Sequence, residues 1–448
     1  MKKRIAFISE HASPLAVLGG VDNGGQNVYV AELSKELAKA GYIIDVFTRK
    51  DNRNLSAVVE WMPGVRVIHV KAGPETFIEK EGLLPFMHEF ADNMLSFINR
   101  EQTHYDLIHA NFFMSALVAS IVKRVLHIPY VVTFHALGLV RLAHQKEKDR
   151  FPKERYDIEK YVVDDADQVI AECPQDRDDL IQYYNADPQK ISIVPCGFNP
   201  KEFYPIDTDE ARAQLGLKKD EKILLQLGRI VPRKGIDNVI RAVGRLRDNV
   251  RSAIRLVVVG GDTDTPDPIV TPEFARLQKI AEEEKVADFI TFTGRRCRDV
   301  LRYFYAAADV FITTPWYEPF GITPLEAMAC GTPVIGANVG GIKYSVADGK
   351  TGFLVPPNDP LALAEKIELL ATDHKLLASM KASAIKRVNK YFTWAKVSNS
   401  VHKLYESLLT ERQHEPVLHK RLLRMENFSI KEAIRAMMPE SFYPVLNV

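Results

Sequence analysis

The chain has no long apolar run, few cysteines, almost no surplus charge and none of several familiar catalytic signatures, and each absence narrows its class. No stretch reaches the roughly 18 continuous apolar residues that a membrane-spanning helix needs. The opening Met1-Lys2-Lys3-Arg4 leads into Ile5-Ala6-Phe7-Ile8, but that run stops at Ser9-Glu10-His11, short of a signal peptide's hydrophobic region. Cytoplasmic residence is the expectation, with peripheral membrane contact left open. The four cysteines, Cys173, Cys196, Cys297 and Cys330, form no CxxC pair, so neither a disulfide framework nor a local zinc site is expected. Their neighbours, as in Val194-Pro195-Cys196-Gly197 and Ala329-Cys330-Gly331, suit small buried hydrophobes beside turns. The 59 Lys and Arg almost cancel the 58 Asp and Glu, for a net charge of +1. That balance argues against a strongly steered nucleic-acid binder, although a local basic cleft stays compatible with it. G-x-S-x-G, HExxH and the dinucleotide G-x-G-x-x-G are all missing, which weakens hydrolase and oxidoreductase readings.

What is present is a repeated unit: a short β-branched run, a polar or glycine-rich turn, then a helical stretch. The first unit is Arg4-Ile8, a long loop to Gly25, and a helix near Gln26-Ala40 with Val30, Leu33 and Leu37 on one face. Strands follow at Ile43-Thr48, Val65-Val70, Leu107-Ala110, Tyr130-Phe134 and Ser192-Pro195. The proline-containing, acidic segment Asn199-Gly216 reads as a linker. A second series has strands at Lys222-Gly228, Ile254-Val259, Ile290-Thr293, Val310-Thr313, Val334-Ile335 and Gly352-Val355. Near-continuous apolar strands alternating with helices predict parallel sheets covered on both faces. The expected organisation is a domain over 1–200, a second over 201–385, helices crossing back over 386–410, and an extension over 411–448. For the extension, an extra packed helix, a homodimer contact and a weakly ordered tail are all open.

Four segments carry chemistry. In Glu318-Pro319-Phe320-Gly321-Ile322-Thr323-Pro324-Leu325-Glu326, Thr323 and Pro324 resemble the N-cap and first position of a helix. Both glutamates can then face one pocket, with the free amides of the turn beside them. In Gly228-Arg229-Ile230-Val231-Pro232-Arg233-Lys234-Gly235, Arg229 and Lys234 can reach one side of a diphosphate and stabilise the charge it gains on leaving a sugar. Gly19-Gly20 and Asp22-Asn23-Gly24-Gly25-Gln26 permit close backbone approach to a ligand. His135, in Thr133-Phe134-His135-Ala136-Leu137-Gly138, ends an apolar strand where a parallel sheet delivers residues to a crevice. Lys80, Arg150 and Arg155 are candidates for a phosphorylated acceptor, drawn from a basic neighbourhood whose other members suit a solvated helix face.

Together these segments resemble the retaining glycosyltransferases of family 4. The resemblance extends to about residue 410 and rests chiefly on E-x7-E from Glu318 to Glu326 with G-R-x-x-x-x-K from Gly228 to Lys234. D-N-G-G-Q at Asp22 to Gln26 and F-H-A-L-G at Phe134 to Gly138 look closest to the bacterial sucrose-phosphate synthase-like branch. Enzymes forming glycosyl-inositol phosphate are similar in layout. The resemblance implies a GT-B fold, two Rossmann-like domains with a ligand cleft between them. It implies that Arg229 and Lys234 bind a donor diphosphate, Glu326 the ribose and Glu318 the transferred sugar, with His135 at the reaction centre. Gly24 and Gly25 would approach the phosphate, Phe320, Gly321, Ile322 and Thr323 would lend backbone amides to the donor, and Gln26 would lie on the acceptor side. The chain departs from sucrose-phosphate synthases at Phe134-His135-Ala136 and lacks their phosphatase-like domain, which leaves the acceptor open.

The expected reaction is transfer of a hexosyl unit from a nucleotide-sugar co-substrate, most often a UDP-sugar, to a hydroxyl acceptor with retention. No metal, no other cofactor and no nucleic acid are expected. A nucleotide-sugar epimerase, a phosphorylase and a silent sugar-nucleotide-binding protein are the competing readings.

Overall fold

The computed structural model describes residues 2–16, 24–145 and 150–413. Gly19, Gly20, Asp22, Asn23 and the extension beyond Gln413 lie outside the described residues.

The first half supplies β1 (Arg4–Ile8), β2 (Ile43–Arg49), β3 (Val58–Met62), β4 (Val65–Val70), β5 (Leu107–Asn111), β6 (Tyr130–Thr133), β7 (Gln168–Ala171) and β8 (Ile191–Ile193). They form one sheet in the order β3-β4-β2-β1-β5-β6-β7-β8. The second half supplies β9 (Lys222–Leu227), β10 (Ile254–Val259), β11 (Ile290–Gly294), β12 (Val310–Thr313), β13 (Val334–Ala337) and β14 (Gly352–Val355), ordered β11-β10-β9-β12-β13-β14. Among the described residues every strand pairing is parallel except β3 with β4.

Side-chain alternation shows why these runs are apolar throughout. In β1, Ala6 and Ile8 join the core that holds Phe90, Met94 and Val118, whereas Ile5 and Phe7 join the opposite layer with Val28, Leu33 and Leu37. In β10, Leu256 and Val258 face one core while Val257 and Val259 face the other. These two strands are therefore buried on both faces, and their period of two is hidden in the composition.

Three strand readings need correction. β3 is an antiparallel edge strand joined to β4 through Pro63-Gly64, and neither it nor β7 is foreseen from the apolar runs. The last strand of the first sheet is Ile191–Ile193 instead of Ser192-Pro195; Pro195 has no N–H to give a ladder.

The short helical piece expected within the linker is Thr208–Leu215, capped by Asp207, which accepts from the Asp209 and Glu210 amides. The chain leaves the first half near Gly197-Phe198 and returns at Phe392-Thr393-Trp394. The two passages are bonded to each other, Phe198 N to Phe392 O at 2.8 Å and Trp394 N to Phe198 O at 3.1 Å. The helix Trp394–Gln413 then lies on the first half, where Glu406 accepts from Lys3 at 2.7 Å and Tyr42 at 2.9 Å.

In both sheets the strand order reverses beside the central strand, between β1 and β5 and between β9 and β12. Such switch points open a crevice at the carboxyl ends of the strands.

Candidate active site

A cavity of about 330 Å³ takes its walls from both halves. Chain following β1, β5 and β6 brings His11, Phe112 and His135, and the helix Gly25–Lys39 presents Gly24, Gly25 and Gln26 at its start. Chain following β9 and β12 brings Arg229, Arg233, Lys234 and the whole segment Tyr317 to Thr323, with Glu326 behind it. Eight Lys and Arg against three Glu line this space, so a chain of nearly zero net charge concentrates positive charge where its two sheets meet.

Glu318 is the anchor of the second wall. Its Oε2 accepts from Lys234 Nζ and lies 3.4 Å from Arg233 Nη1. Burial pushes the Glu318 carboxyl up, but Lys234, Arg233 and Arg229 outweigh it and hold it down at about 2. Lys234 is pushed down to about 8, chiefly by burial, with Glu318 pulling the other way. The carboxylate is thus ionised near neutral pH and has no proton to give. It holds Lys234 at the site, and the arginines leave a positive surplus for an anion.

Glu326 sits in the first turn of the helix Thr323–Ala329 and is almost fully buried. Tyr305 donates to its Oε2 at 3.0 Å, and Arg298 Nη1 lies 3.0 Å from its Oε1. That second approach lacks hydrogen-bond geometry, so Glu326 Oε1 and Arg298 Nη2 are both buried without a hydrogen-bond partner in residues that line the cavity. Buried polar atoms of this kind are costly unless something meets them. The cap reading moves by one residue: Ile322 takes the cap position, Thr323 is the first helical residue, and no side chain caps the amides.

On the first wall, an added Cβ at Gly24 would meet no protein atom within 4 Å. Gln26 also lines the cavity, its Nε2 donating to Ser9 Oγ and Asn111 O, both at 3.2 Å. His135 joins it with Nδ1 2.9 Å from Glu172. Phe320, Gly321, Ile322 and Thr323 all line the cavity, as does Lys80.

Two acceptor candidates are placed elsewhere. Arg150 is exposed and pairs with Glu79 at 2.8 Å, outside the lining. Arg155 is fully buried: it bonds Glu159 Oε1 at 2.7 Å and Ala136 O at 2.6 Å, and its guanidinium lies 4.4 Å from the Phe151 ring centroid. Glu159 in turn accepts from the Gly138 amide and Tyr184 OH, so this pair fixes the backbone just after His135. Arg155 is part of the scaffold, not an acceptor contact. Arg155→Ala is expected to cost about 3–5 kcal/mol of folding stability, because it strands a buried carboxylate. Denaturant unfolding of wild type and variant checks the value.

Other cavity residues escape the sequence reading. Arg233 lies within the quoted motif, yet its contact with Glu318 needs the fold to be seen. Arg295, Arg296 and Arg298 follow β11 in Gly294-Arg295-Arg296-Cys297-Arg298, a basic run at a strand's carboxyl end that could have been noticed. Cys297 in that run is exposed, unlike the other three cysteines.

Comparisons with known proteins agree with this geometry. Residues 23–202 match the model described as Glycosyltransferase Family 4, and residues 207–387 match that of Glycosyl transferases group 1. D-inositol 3-phosphate glycosyltransferase of Corynebacterium jeikeium is 35% identical over 410 residues, which cover 90% of this chain and 97% of that protein. Sucrose-phosphate synthase from Thermosynechococcus elongatus superposes with a TM-score of 0.83 at 34% identity, covering 92% of this chain and 100% of the other. Anabaena HepE, solved with UDP-glucose, shares the fold at a TM-score of 0.71 and 20% identity, covering 90% of this chain and 99% of its own. With parallel sheets meeting at a shared cleft and relatives matched along most of its length, the chain belongs to the family 4 glycosyltransferases and has the GT-B fold.

Proposed function

We propose that the protein moves a hexosyl unit from a nucleoside diphosphate sugar, UDP-glucose or a near analogue, to a phosphorylated sugar or polyol, with retention at the anomeric carbon. The carrying observation is the cation set Arg229, Arg233 and Lys234 gathered around the ionised Glu318 at the mouth of β9. Fixed cations there stabilise the charge that a diphosphate gains as its bond to the sugar breaks. Glu326, with an unsatisfied carboxylate oxygen, suits a ribose hydroxyl, and Glu318 suits hydroxyls of the sugar. Lys80 and Gln26 stand on the opposite wall as acceptor contacts. The names of two relatives, which refer to an inositol phosphate and a sucrose phosphate, support a phosphorylated acceptor.

The reaction as we read it needs no metal and no protein nucleophile. Glu318 is held by two cations and orients the sugar; the departing phosphate receives the acceptor's proton on the same face. Among the described residues no helix is long and apolar enough to cross a membrane.

A matrix of nucleotide-sugar donors against phosphorylated and plain acceptors, read by mass spectrometry, tests the proposal. The expected product is an acceptor one hexose heavier, formed best when the acceptor carries phosphate. An altered donor without a glycosylated acceptor would instead establish an epimerase, and donor binding without turnover a silent binding protein. Equal turnover of phosphorylated and unphosphorylated acceptors overturns the phosphate preference.

A further inference from the structure

Glu326 is approached on both of its oxygens, and the linker stands behind each approach. Tyr305 donates to Oε2 at 3.0 Å, and Arg298 Nη1 lies 3.0 Å from Oε1. Phe203, only 1% exposed, supports both partners: the Arg298 guanidinium carbon lies 4.8 Å from its ring centroid, and the Tyr305 ring meets it edge-on at 5.8 Å. The neighbouring Glu202 takes another edge of the guanidinium, its Oε2 accepting from Arg298 Nε at 2.7 Å. Neither Glu202 nor Phe203 lines the cavity.

Glu202 is itself anchored. Its Oε1 accepts from Asn199 Nδ2 at 2.9 Å, and the same Nδ2 donates to Glu32 Oε2 at 3.2 Å. Asn199 Oδ1 accepts from the Lys201 amide at 3.0 Å, and a backbone N–H only donates. Turning the Asn199 amide over would lose all three bonds, so its orientation is fixed. Glu32 is buried on the helix Gly25–Lys39, whose first residues line the opposite wall of the cavity. A run of side chains from Glu326 through Arg298, Glu202 and Asn199 to Glu32 thus passes from the second half, through the linker, to the first. Burial pulls the Arg298 pKa down, but Glu326 and Glu202 outweigh it and hold it above the ordinary value.

We propose that Glu202 is a positioning residue for the donor: through Arg298 it holds Glu326 ready for the nucleotide without touching the nucleotide itself. The inference rests on the proposed function for one point, the contact of Glu326 with the donor's ribose. Glu202 grips the guanidinium by Nε in an attitude that brings Nη1 close to Glu326 Oε1 without a hydrogen bond, so that oxygen keeps its capacity for a hydroxyl. The planar fork of arginine can serve two carboxylates in one fixed geometry, which a lysine ammonium cannot. Without Glu202 the guanidinium is free to turn fully onto Glu326 and fill the oxygen that the ribose needs. The linker therefore contributes affinity by preorganisation and not by contact.

The test is calorimetric binding of UDP, GDP and ADP to the full chain, repeated in Glu202→Ala with the nucleotide that the wild type binds tightest. The Glu202 side chain is 36% exposed, so this variant is expected to fold. Its Kd is expected to rise about 10-fold, the scale of one hydrogen bond to a charged group, with kcat at saturating donor little changed. An unchanged Kd overturns the inference, as does a fall in kcat with donor affinity intact. The second arm is a double-mutant cycle with Glu326→Gln. If Glu202 acts through Glu326, then Glu202→Ala costs little further affinity in that background. A second loss of about 10-fold there shows Glu202 working by another route and overturns the inference. The two readings fail separately. Wild-type binding with an unchanged Kd in Glu202→Ala removes only the role given to the linker, whereas a wild type that binds none of the three nucleotides removes the proposed reaction.

Discussion

Lys234→Ala is expected to reduce kcat/KM by ~10²–10³-fold, the range for removing one fixed electrostatic partner of a transition state. Two losses combine. The cation nearest Glu318 disappears, and the carboxylate it held becomes a surplus negative charge facing the donor phosphates. Arg233, 3.4 Å from the same oxygen, is left as the partner with a defined contact and cannot both hold Glu318 and serve the donor. The loss should fall on turnover and donor affinity together, because the charge is needed before and during bond breaking. Steady-state kinetics on purified variant, with a thermal melt to confirm folding, decides it. Wild-type kcat/KM in folded Lys234→Ala removes the donor assignment.

Gly341→Ala is the second large effect, and it acts through backbone. An added Cβ would sit 2.4 Å from Phe320 Cα and 2.6 Å from Phe320 O, distances that flexible side chains could relieve but main chain cannot. The Gly341 amide also donates to Pro319 O at 3.0 Å, so this loop is the bed on which Glu318 to Phe320 lies. Making room means moving that segment by about 1 Å, which costs on the order of 10²-fold in activity. Overpacking adds about 1–3 kcal/mol of lost stability. The expected result is a folded, less stable enzyme with activity down by about two orders of magnitude. A variant with wild-type turnover would show that the segment's position does not matter to the chemistry.

Gly341 illustrates what the sequence could not disclose. The apolar runs of β1, β10 and β12 announced themselves because strands buried on both faces must be apolar at every position. Glu318 and Glu326 were legible because a short motif brings them to one turn. Gly341 lies outside that motif, and only the return of the chain after β13 sets it against Phe320. Glu172 was hidden in the same way: it meets His135 across 37 residues, through the pairing of β6 with β7. Arg155 was misjudged for a different reason. A basic residue in the basic neighbourhood after His135 suggests a contact for a phosphorylated acceptor, but Arg155 and Glu159 fall on the same stripe as Ile158 and Val162, which points inward. The i,i+4 spacing of opposite charges along an apolar stripe was the available sign. β3 was missed because an edge strand with one neighbour needs no continuous apolar run.

The two passages of chain between the halves have a mechanical consequence. Phe198 and Thr393 pair as a parallel bridge, and Gly197 is packed so tightly that a Cβ there would lie 2.9 Å from Trp394 N. A single tether would let one half twist as well as tilt against the other. Paired spans behave like the leaf of a door hinge, soft to bending across their width and stiff to torsion. Any swing that widens the cleft then turns about one line, and on closing it returns His135 to the same station opposite Glu318.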